Sequence, residues 1–233
     1  MILRIGQQKE IIRRIREHVD FDDVYTMARR QSYAPMYLVG GRVYRTVIEV
    51  LTENKVGASD VDWDFLVMGK IKKFLVHNPA DEWEVEDFQY CKENSIRLRR
   101  TRSIERQSRL GIFPSMEVTK MDLIAIKDCA RDIKFPSLHN YFQIVPVDIQ
   151  CAALDLEKNE LHVAKVLQCI ERGSIAVNNP KVALPNLRIN QYIRDKATSL
   201  RMGVDKQVAK GSHVCICPMY PTLMRFGCQC GGR

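Results

Sequence analysis

Two acidic residues separated by one position are the strongest chemical feature of this sequence. Asp62 and Asp64 lie in the segment 61–67, VDWDFLV, in which residue character alternates. A strand points alternate side chains to one face, so the two carboxylates should stand side by side, about 7 Å apart. Like charges at that separation repel each other unless a cation lies between them. Mg²⁺ suits such a site, because it binds one or two protein carboxylates together with water and substrate phosphates.

A pair of glycines upstream could supply a phosphate site. Gly40 and Gly41 follow Tyr-Leu-Val and precede a helical pattern in which Val43, Val47 and Leu51 recur. Glycine lets the backbone approach a ligand closely, and the N-terminus of the following helix offers unpaired N–H groups to a phosphate. A simple turn and a solvated strand edge are the alternatives for the two features taken singly. Their order, with a helix between them, favours nucleoside triphosphate chemistry.

This combination resembles the signature of polymerase-beta-like nucleotidyltransferases, in particular the head of class II tRNA CCA-adding enzymes and bacterial poly(A) polymerases. The resemblance rests on Gly40-Gly41 followed by Asp62-Trp63-Asp64-Phe65. It implies a catalytic site in which Asp62 and Asp64 bind two Mg²⁺ ions and the glycines hold a nucleoside triphosphate.

The helix after the glycines departs from the family pattern. The family usually continues Gly-Gly-x-Val-Arg-Asp, whereas this chain runs Val43-Tyr44-Arg45. Arg45 is one position further along, and we expect it to reach the triphosphate.

The family mechanism also needs a third carboxylate on a neighbouring strand, to bind the ion that activates the attacking hydroxyl. Residues 115–124, SMEVTKMDLI, alternate as a short strand and resemble the Glu-Val-x-Thr-like strand of class II enzymes. Glu117 is therefore the predicted third catalytic residue. Asp122 and Asp148 are the competing candidates, and an exposed strand position without chemistry is the other interpretation of Glu117.

Two later segments resemble nucleotide-contacting parts of the family. In residues 145–162, Asp148 matches the Asp of the family motif, while Ala152 stands where the family has an Asn that contacts the sugar. Residues 170–204 resemble the entry to the family's helical neck. Arg188 and Arg194 match family arginines there, while Pro185 stands in place of the Asp that reads the base. We expect Asp148, Arg188 and Arg194 to contact nucleotide. Because Pro185 offers no hydrogen-bond acceptor to the base, we expect the family's discrimination between CTP and ATP by this Asp and its Arg to be absent.

The chain is basic, with 36 Lys and Arg against 28 Asp and Glu and a net charge of +8. Much of the excess lies between Arg97 and Arg109, where only Glu105 opposes the arginines. We expect these arginines to bind an RNA backbone with strong salt dependence; a solvated helix face is the alternative. The candidate RNA-binding residues are Arg97, Arg99, Arg100 and Arg102.

The eight cysteines divide into two groups. Four are dispersed among apolar neighbours, as is typical of reduced, packed thiols: Cys91, Cys129, Cys151 and Cys169. The other four form two Cys-x-Cys pairs: Cys215, Cys217, Cys228 and Cys230. Two close thiolate pairs suit a tetrahedral structural Zn²⁺, with His213 as a substitute ligand. A disulfide-linked or disordered tail is the alternative.

The predicted fold is α/β (α+β): a mixed nucleotidyltransferase sheet flanked by helices, with a short helical neck and a Cys-rich tail. We expect a head at residues 1–160 with a basic insertion or loosely packed helical arm at 70–110, a neck at 161–210 and a tail at 211–233. No long apolar run indicates a membrane span, and no signal-peptide core is evident, so a cytoplasmic protein is expected. The expected partners are a nucleoside triphosphate and an RNA 3′ end; the oligomeric state stays open. There are two alternatives. The chain is a catalytically weakened RNA-binding or regulatory module on the same fold, or it transfers the nucleotide to a protein or a small molecule.

Overall fold

The computed structural model describes residues 1–72, 82–86, 94–108, 111–129, 136–178, 187–205 and 215–216. For residues 106–108, 111–113, 187–190 and 215–216 it describes the backbone alone. The helices are α1 (Ile5–Arg16), α2 (Phe21–Gln31), α3 (Gly41–Thr52), α4 (Ile126–Cys129), α5 (Leu138–Ile144), α6 (Ala164–Arg172) and α7 (Ile189–Leu200). The strands are β1 (Met36–Val39), β2 (Trp63–Val67), β3 (Trp83–Glu86), β4 (Ile96–Ser108), β5 (Gly111–Ala125), β6 (Ala153–Asp155), β7 (Glu160–His162), β8 (Ser174–Ile175), β9 (Leu187–Arg188), β10 (Gly203–Val204) and β11 (Cys215–Ile216). Within these ranges, no helix combines the length and the apolar character that crossing a bilayer requires.

Seven strands form one sheet in the order β3-β4-β5-β2-β1-β6-β7. Strands β2 and β5 pair in parallel, and every other neighbouring pair of this sheet is antiparallel. Helices cover both faces of the sheet. The helices α1, α2, α3 and α6 contribute to one cluster of buried side chains, and α4 and α5 contribute to the other. The predicted mixed sheet flanked by helices is therefore confirmed.

The alternation predicted for β2 is also confirmed. Trp63 is 1% exposed, Phe65 and Val67 are fully buried, and all three lie in the larger core with α1, α2 and α3. Leu66 points the other way, into the smaller core beneath α4 and α5. Burial of each large side chain contributes about 1.5–3 kcal/mol, so the strand is held firmly from both faces. The central sheet thus fixes where Asp64 points.

The described residues of the segment 70–110 differ from the expectation of a loosely packed helical arm. Its described residues form β3 and the first part of the long hairpin β4–β5, which belong to the main sheet. Ile96, Leu98 and Arg100 all face the core, and Arg100 is only 2% exposed. Because a charged residue occupies an inward position, the sequence shows no clear apolar alternation over this strand. The prediction of a loosely packed arm is therefore wrong for the described part.

The N-terminal helix also ends earlier than expected. The pattern of Ile11, Ile12, Ile15 and Val19 predicts a helix over 8–19 with one apolar stripe. Helix α1 ends at Arg16, Ile11 and Ile15 are buried, and Val19 is 83% exposed. Val19 lies in the turn to α2 and takes no part in the stripe.

The dispersed cysteines behave as predicted where they are described. Cys129, Cys151 and Cys169 are buried, and Cys91 lies outside the described residues. Burial raises the pKa of Cys151 to about 12, so this thiol stays protonated and packs as a small apolar group.

Candidate active site

Strand β2 places Asp64 against the diglycine bend. The bend connects β1 to α3, and β1 pairs with β2 so that Val39 lies opposite Asp64. A Cβ atom added to Gly40 would lie 2.1 Å from Oδ2 of Asp64, and Gly40 has φ +73°. Only glycine allows both this close approach and this backbone conformation. The two features that the sequence separates by about twenty positions are thus in contact in the fold.

The carboxylate that stands beside Asp64 on the neighbouring strand is Asp122. The parallel register of β2 and β5 puts Asp64 directly opposite Asp122, and side chains in such register share a face. Glu117 lies five positions earlier on β5 and therefore points to the other face. Its charge acts there on His18, whose ring packs edge-on against Trp63. The structure brings Asp62, Asp64 and Asp122 together and leaves Glu117 apart.

An arginine lies within this acidic cluster. Arg97 of β4 donates from Nε and Nη2 to the two carboxylate oxygens of Asp122, each at 2.5 Å. Its Nη2 is 3.7 Å from Oδ2 of Asp62. Such bidentate, charge-assisted pairs are among the stronger polar contacts in proteins. The expected RNA-binding residue Arg97 thus faces the carboxylates in this structure.

The cluster strongly perturbs the ionisation of Asp64. Burial raises the pKa of Asp64 to about 8, and the negative charges of Asp122 and Asp62 add to the rise. Arg97 and Lys196 act in the opposite direction, but they do not restore the ordinary value. Burial also raises the pKa of Asp62. Carboxylates with raised pKa values, close to one another, are typical of sites that exchange protons or bind cations.

This shift predicts how stability depends on pH. Asp64 ionises near its ordinary pKa of 3.8 in the unfolded chain but near 8 in the folded one. Between these values the folded state binds the extra proton, so the free energy of unfolding falls as pH rises, by at most about 1.4 kcal/mol per pH unit. We expect Asp64→Asn to remove this decline in thermal melts with chelator between about pH 5 and pH 8.5. Parallel pH profiles for the two proteins would contradict the assignment.

Arg42 positions the segment that carries Asp62. Its guanidinium donates to the carbonyl oxygens of Ser59 at 3.2 Å and Val61 at 2.6 Å. It also lies over the ring of Trp63, 4.0 Å from the centroid. Burial lowers the pKa of Arg42 to about 10, so it remains charged at neutral pH. The first arginine of α3 therefore ties the chain on both sides of Asp62 to the helix after the diglycine bend.

Three other predicted nucleotide-binding residues lie in different surroundings. Arg45 donates to the carbonyl of Val56 and, at 3.2 Å, to Oγ of Ser199, so protein acceptors occupy it. Arg194 is exposed on α7, and the side chain of Arg188 lies outside what the structure describes.

Asp148, also predicted to contact nucleotide, is engaged within the fold. Its Oδ1 accepts from the backbone N–H groups of Ile149 and Ala176, both at 2.9 Å, and its Oδ2 accepts from Arg172 at 2.6 Å. These bonds join the 3₁₀ turn Asp148–Gln150 to α6 and the chain after β8. Asp148 therefore stabilises the fold in this structure.

Helix α7 brings a different cation to the site. Nζ of Lys196 donates to the hydroxyl of Tyr44 at 3.0 Å, and it lies 5.2 Å from the ring centroid of Tyr192. Burial opposes its charge, but Tyr44 and Tyr192 raise the pKa of Lys196 above its ordinary value. Lys196 is close enough to Asp64 to lower the pKa of that carboxyl. Sequence reasoning missed Lys196, although the tyrosine at 44, in place of the family arginine, was a signal that the cation had to come from elsewhere.

The remaining arginines of the basic cluster divide into two kinds. Arg100 is 2% exposed and is paired with Asp20 at 2.7 Å and Asp23 at 3.0 Å. Arg102 is paired with Asp23 at 3.0 Å and Glu82 at 2.7 Å. Arg99 has a buried Nε without a hydrogen-bond partner in the described part of the chain. The fold therefore engages Arg100 and Arg102 internally.

The predicted zinc site falls mostly beyond the described residues. Cys217, Cys228 and Cys230 lie outside them, and of Cys215 only the backbone is described. Cys215 lies in β11, paired antiparallel with β9 so that it is opposite Arg188. The zinc site stays a prediction.

Comparisons with known proteins show a shared fold. No family model and no curated protein matches this chain. A solved tRNA-processing enzyme, in an apo form, matches 81% of the chain with a TM-score of 0.50 and 16% identity. A tRNA nucleotidyltransferase complexed with a primer tRNA and an incoming ATP analog matches 76% of it, with a TM-score of 0.46 and 17% identity. The matches cover 45% of each of these chains, so this chain spans less than half their length. The expected resemblance is confirmed for the fold alone, which this chain shares with the solved tRNA-processing enzyme.

Proposed function

We propose that this chain is a metal-dependent nucleotidyltransferase, which transfers a nucleoside monophosphate from a nucleoside triphosphate to the 3′ end of an RNA. The observation that carries the proposal is the contact between Gly40 and the carboxylate of Asp64, with Asp122 opposite on the next strand. A phosphate lying over the glycine bend would meet the carboxylates directly. A fold that needed only a turn at this point would have no use for three acidic side chains beside it.

The residues present fit Mg²⁺ by their chemistry. Asp62, Asp64 and Asp122 offer oxygen ligands alone, which hard cations prefer. Among the described residues, no group of three acidic, histidine or cysteine side chains is arranged to hold a metal ion, and Arg97 is bonded to both carboxylate oxygens of Asp122. When bound, Mg²⁺ would lower the pKa of the acceptor hydroxyl and neutralise charge on the pyrophosphate leaving group.

The protein's own groups would orient the reactants. The backbone at Gly40 and Gly41 would allow close approach of the triphosphate at the start of α3. Lys196, held between two tyrosine rings, would meet the phosphate charge. Arg99 and Lys120 lie opposite each other on β4 and β5, on the same face as Asp122 and two residues from its register. They would pair with the RNA backbone and bring its 3′ hydroxyl to the carboxylates.

The role of Lys196 can be tested by nucleotide affinity. Lys196→Met should weaken binding of a non-hydrolysable ATP analogue about tenfold, because a charge-assisted bond to phosphate contributes about 1.5–3 kcal/mol. Calorimetric titration in Mg²⁺ would measure the effect. The matched control is Arg201→Met, directly after the same helix, which removes an exposed cation. Equal losses in the two variants would show that only net charge matters.

Nucleotide incorporation tests the proposed function. Purified protein is incubated with each of the four radiolabelled nucleoside triphosphates, Mg²⁺ and total RNA, and the products are separated by size. Label on RNA that disappears with chelator supports the proposal. Label on protein or on a small metabolite would show that the same reaction uses another class of acceptor and would contradict RNA as the acceptor.

A second candidate is an RNA-binding module that keeps the fold without efficient catalysis. The observation that favours it is the ion pair of Arg97 with Asp122, which neutralises one of the carboxylates. Absence of label in all products, together with retained RNA binding in the same preparation, would support this candidate and contradict the enzyme.

A further inference from the structure

Arg97 lies between two acidic partners on neighbouring strands. β4 is flanked by β5 on one side and β3 on the other, and the registers place Asp122 and Glu86 opposite Arg97. Residues in such register project from the same face of the sheet, about 4.8 Å apart. The side chain of Arg97 is 14% exposed and bonds to Asp122 in this structure.

The second partner has an unused acceptor. Oε2 of Glu86 is buried and accepts no hydrogen bond within the described ranges, while Oε1 accepts from Nζ of Lys120 at a long 3.4 Å. A buried carboxylate oxygen without a donor is costly. The register of β3 and β4 places Glu86 directly opposite Arg97 on the same face of the sheet, so the guanidinium can reach its carboxylate.

We infer that Arg97 is a tethered cation with two positions: it neutralises Asp122 while no divalent ion is bound, and it turns to Glu86 when an ion occupies the carboxylate cluster. The inference rests on the proposed function, since it assumes that Asp62, Asp64 and Asp122 bind the ion. The ion must break the two bonds between Arg97 and Asp122. Glu86 lowers the cost of that step, because the displaced guanidinium gains a buried carboxylate oxygen.

A fixed role for Arg97 would have a different consequence. If the arginine only orients Asp122 for the ion, its removal weakens ion binding. If it competes with the ion, its removal strengthens ion binding, because the ligands no longer have to be released. The sign of the change therefore separates the two roles.

Mn²⁺ binding to the full chain, followed by electron paramagnetic resonance without nucleotide or RNA, measures that sign. Mn²⁺ suits an all-carboxylate site and gives a direct signal from the free ion. Arg97→Gln should tighten Mn²⁺ binding by about tenfold, the equivalent of losing one charge-assisted hydrogen-bonded partner. Arg97→Lys keeps the charge but loses the bidentate guanidinium. Its Mn²⁺ affinity should lie between those of the unchanged protein and Arg97→Gln. The matched control is Arg99→Gln on the same face, which should change Mn²⁺ affinity by no more than about twofold.

Glu86→Gln tests the second position of the arginine. It should weaken Mn²⁺ binding severalfold in the otherwise unchanged protein, and it should have little effect in the Arg97→Gln background. An equal effect in both backgrounds would mean that Glu86 acts through its field alone, and would overturn the inference. Unchanged or weaker Mn²⁺ binding in Arg97→Gln, or no Mn²⁺ binding at all, would overturn it as well.

The outcomes are independent of catalysis. Melting curves of each ion-free variant show that it is folded; should Arg97→Gln fail to fold, Arg97→Lys and Glu86→Gln still decide the question. A chain that shows the expected Mn²⁺ affinities but adds no nucleotide to RNA would contradict the proposed function and support the switch. A chain that adds nucleotide but shows no gain of Mn²⁺ affinity would do the reverse.

Discussion

Asp64→Asn should lower nucleotide incorporation by at least about a thousandfold. An ion bound at the cluster would supply several kcal/mol of charge stabilisation, and each 1.4 kcal/mol corresponds to a factor of ten in rate. The amide keeps the shape of the side chain but is a much poorer ligand than a carboxylate. Because burial keeps Asp64 largely protonated at neutral pH when no ion is bound, the neutral amide should leave the fold intact. Single-turnover incorporation with saturating nucleotide would measure the rate.

The same assay separates the two candidates for the third carboxylate. Asp122→Asn should fall nearly as far as Asp64→Asn, since Asp122 lies opposite Asp64 in the parallel register. Glu117→Gln removes the same charge from the same strand, but from the other face, and should change the rate by less than about threefold. A large loss in Glu117→Gln with a normal rate in Asp122→Asn would restore the expectation from the sequence and contradict the site described above.

Gly40→Ala should lower the rate of nucleotide incorporation by about a hundredfold or more, whereas the protein should still fold. The added methyl carbon would lie 2.1 Å from Oδ2 of Asp64, so the carboxylate must turn away from the bend. Misplacement of a catalytic group by about 1 Å can cost a hundredfold in rate. The carboxylate is the free end of a side chain and can move, so the chain should still fold. Incorporation rate and thermal melting, measured on the same preparation, would show the two effects.

Gly173 provides a control for replacing a glycine away from the site, with the difference that its ψ of 17° lies in the left-handed helical region whereas ψ of Gly40 is −153°. It also has a positive φ, +67°, but a Cβ there would meet nothing within 4 Å. Gly173→Ala should cost about 1 kcal/mol of stability, the usual penalty for a left-handed conformation, and leave the incorporation rate unchanged. If Gly40→Ala behaves like Gly173→Ala in both measurements, the bend serves only as a turn and the proposed phosphate site is wrong.

Much of the central fold could be predicted because the relevant patterns are local. The alternation around Trp63 and Phe65 indicates a strand buried on one face, and it holds in the sheet. The glycine pair before an apolar helical repeat indicates the turn into α3, whose bounds are Gly41–Thr52. Local backbone preference and residue periodicity operate within about a dozen residues, so they can be read without knowledge of the partners.

The arginine-rich segment shows where local patterns mislead. Its charges suggested a solvated arm, yet Arg100 is buried because Asp20 and Asp23 of α2 meet it in the fold. The pairing partners are about 80 residues away in the chain. A buried arginine with two carboxylates is satisfied only in three dimensions, and no sequence window contains both sides of that contact.

Residue types and local periodicity alone define the two central aspartates and the glycine bend, and the family resemblance that these residues carry implies the mixed sheet. The tertiary structure decides the third carboxylate, since strand register selects Asp122 over Glu117. It also decides which cation enters the site, since the packing of α7 on α3 brings Lys196 to Tyr44 and leaves Arg45 bonded elsewhere. The physical reason is common to both: a side chain's face follows from its own strand or helix, whereas its neighbours follow from which distant elements pack together.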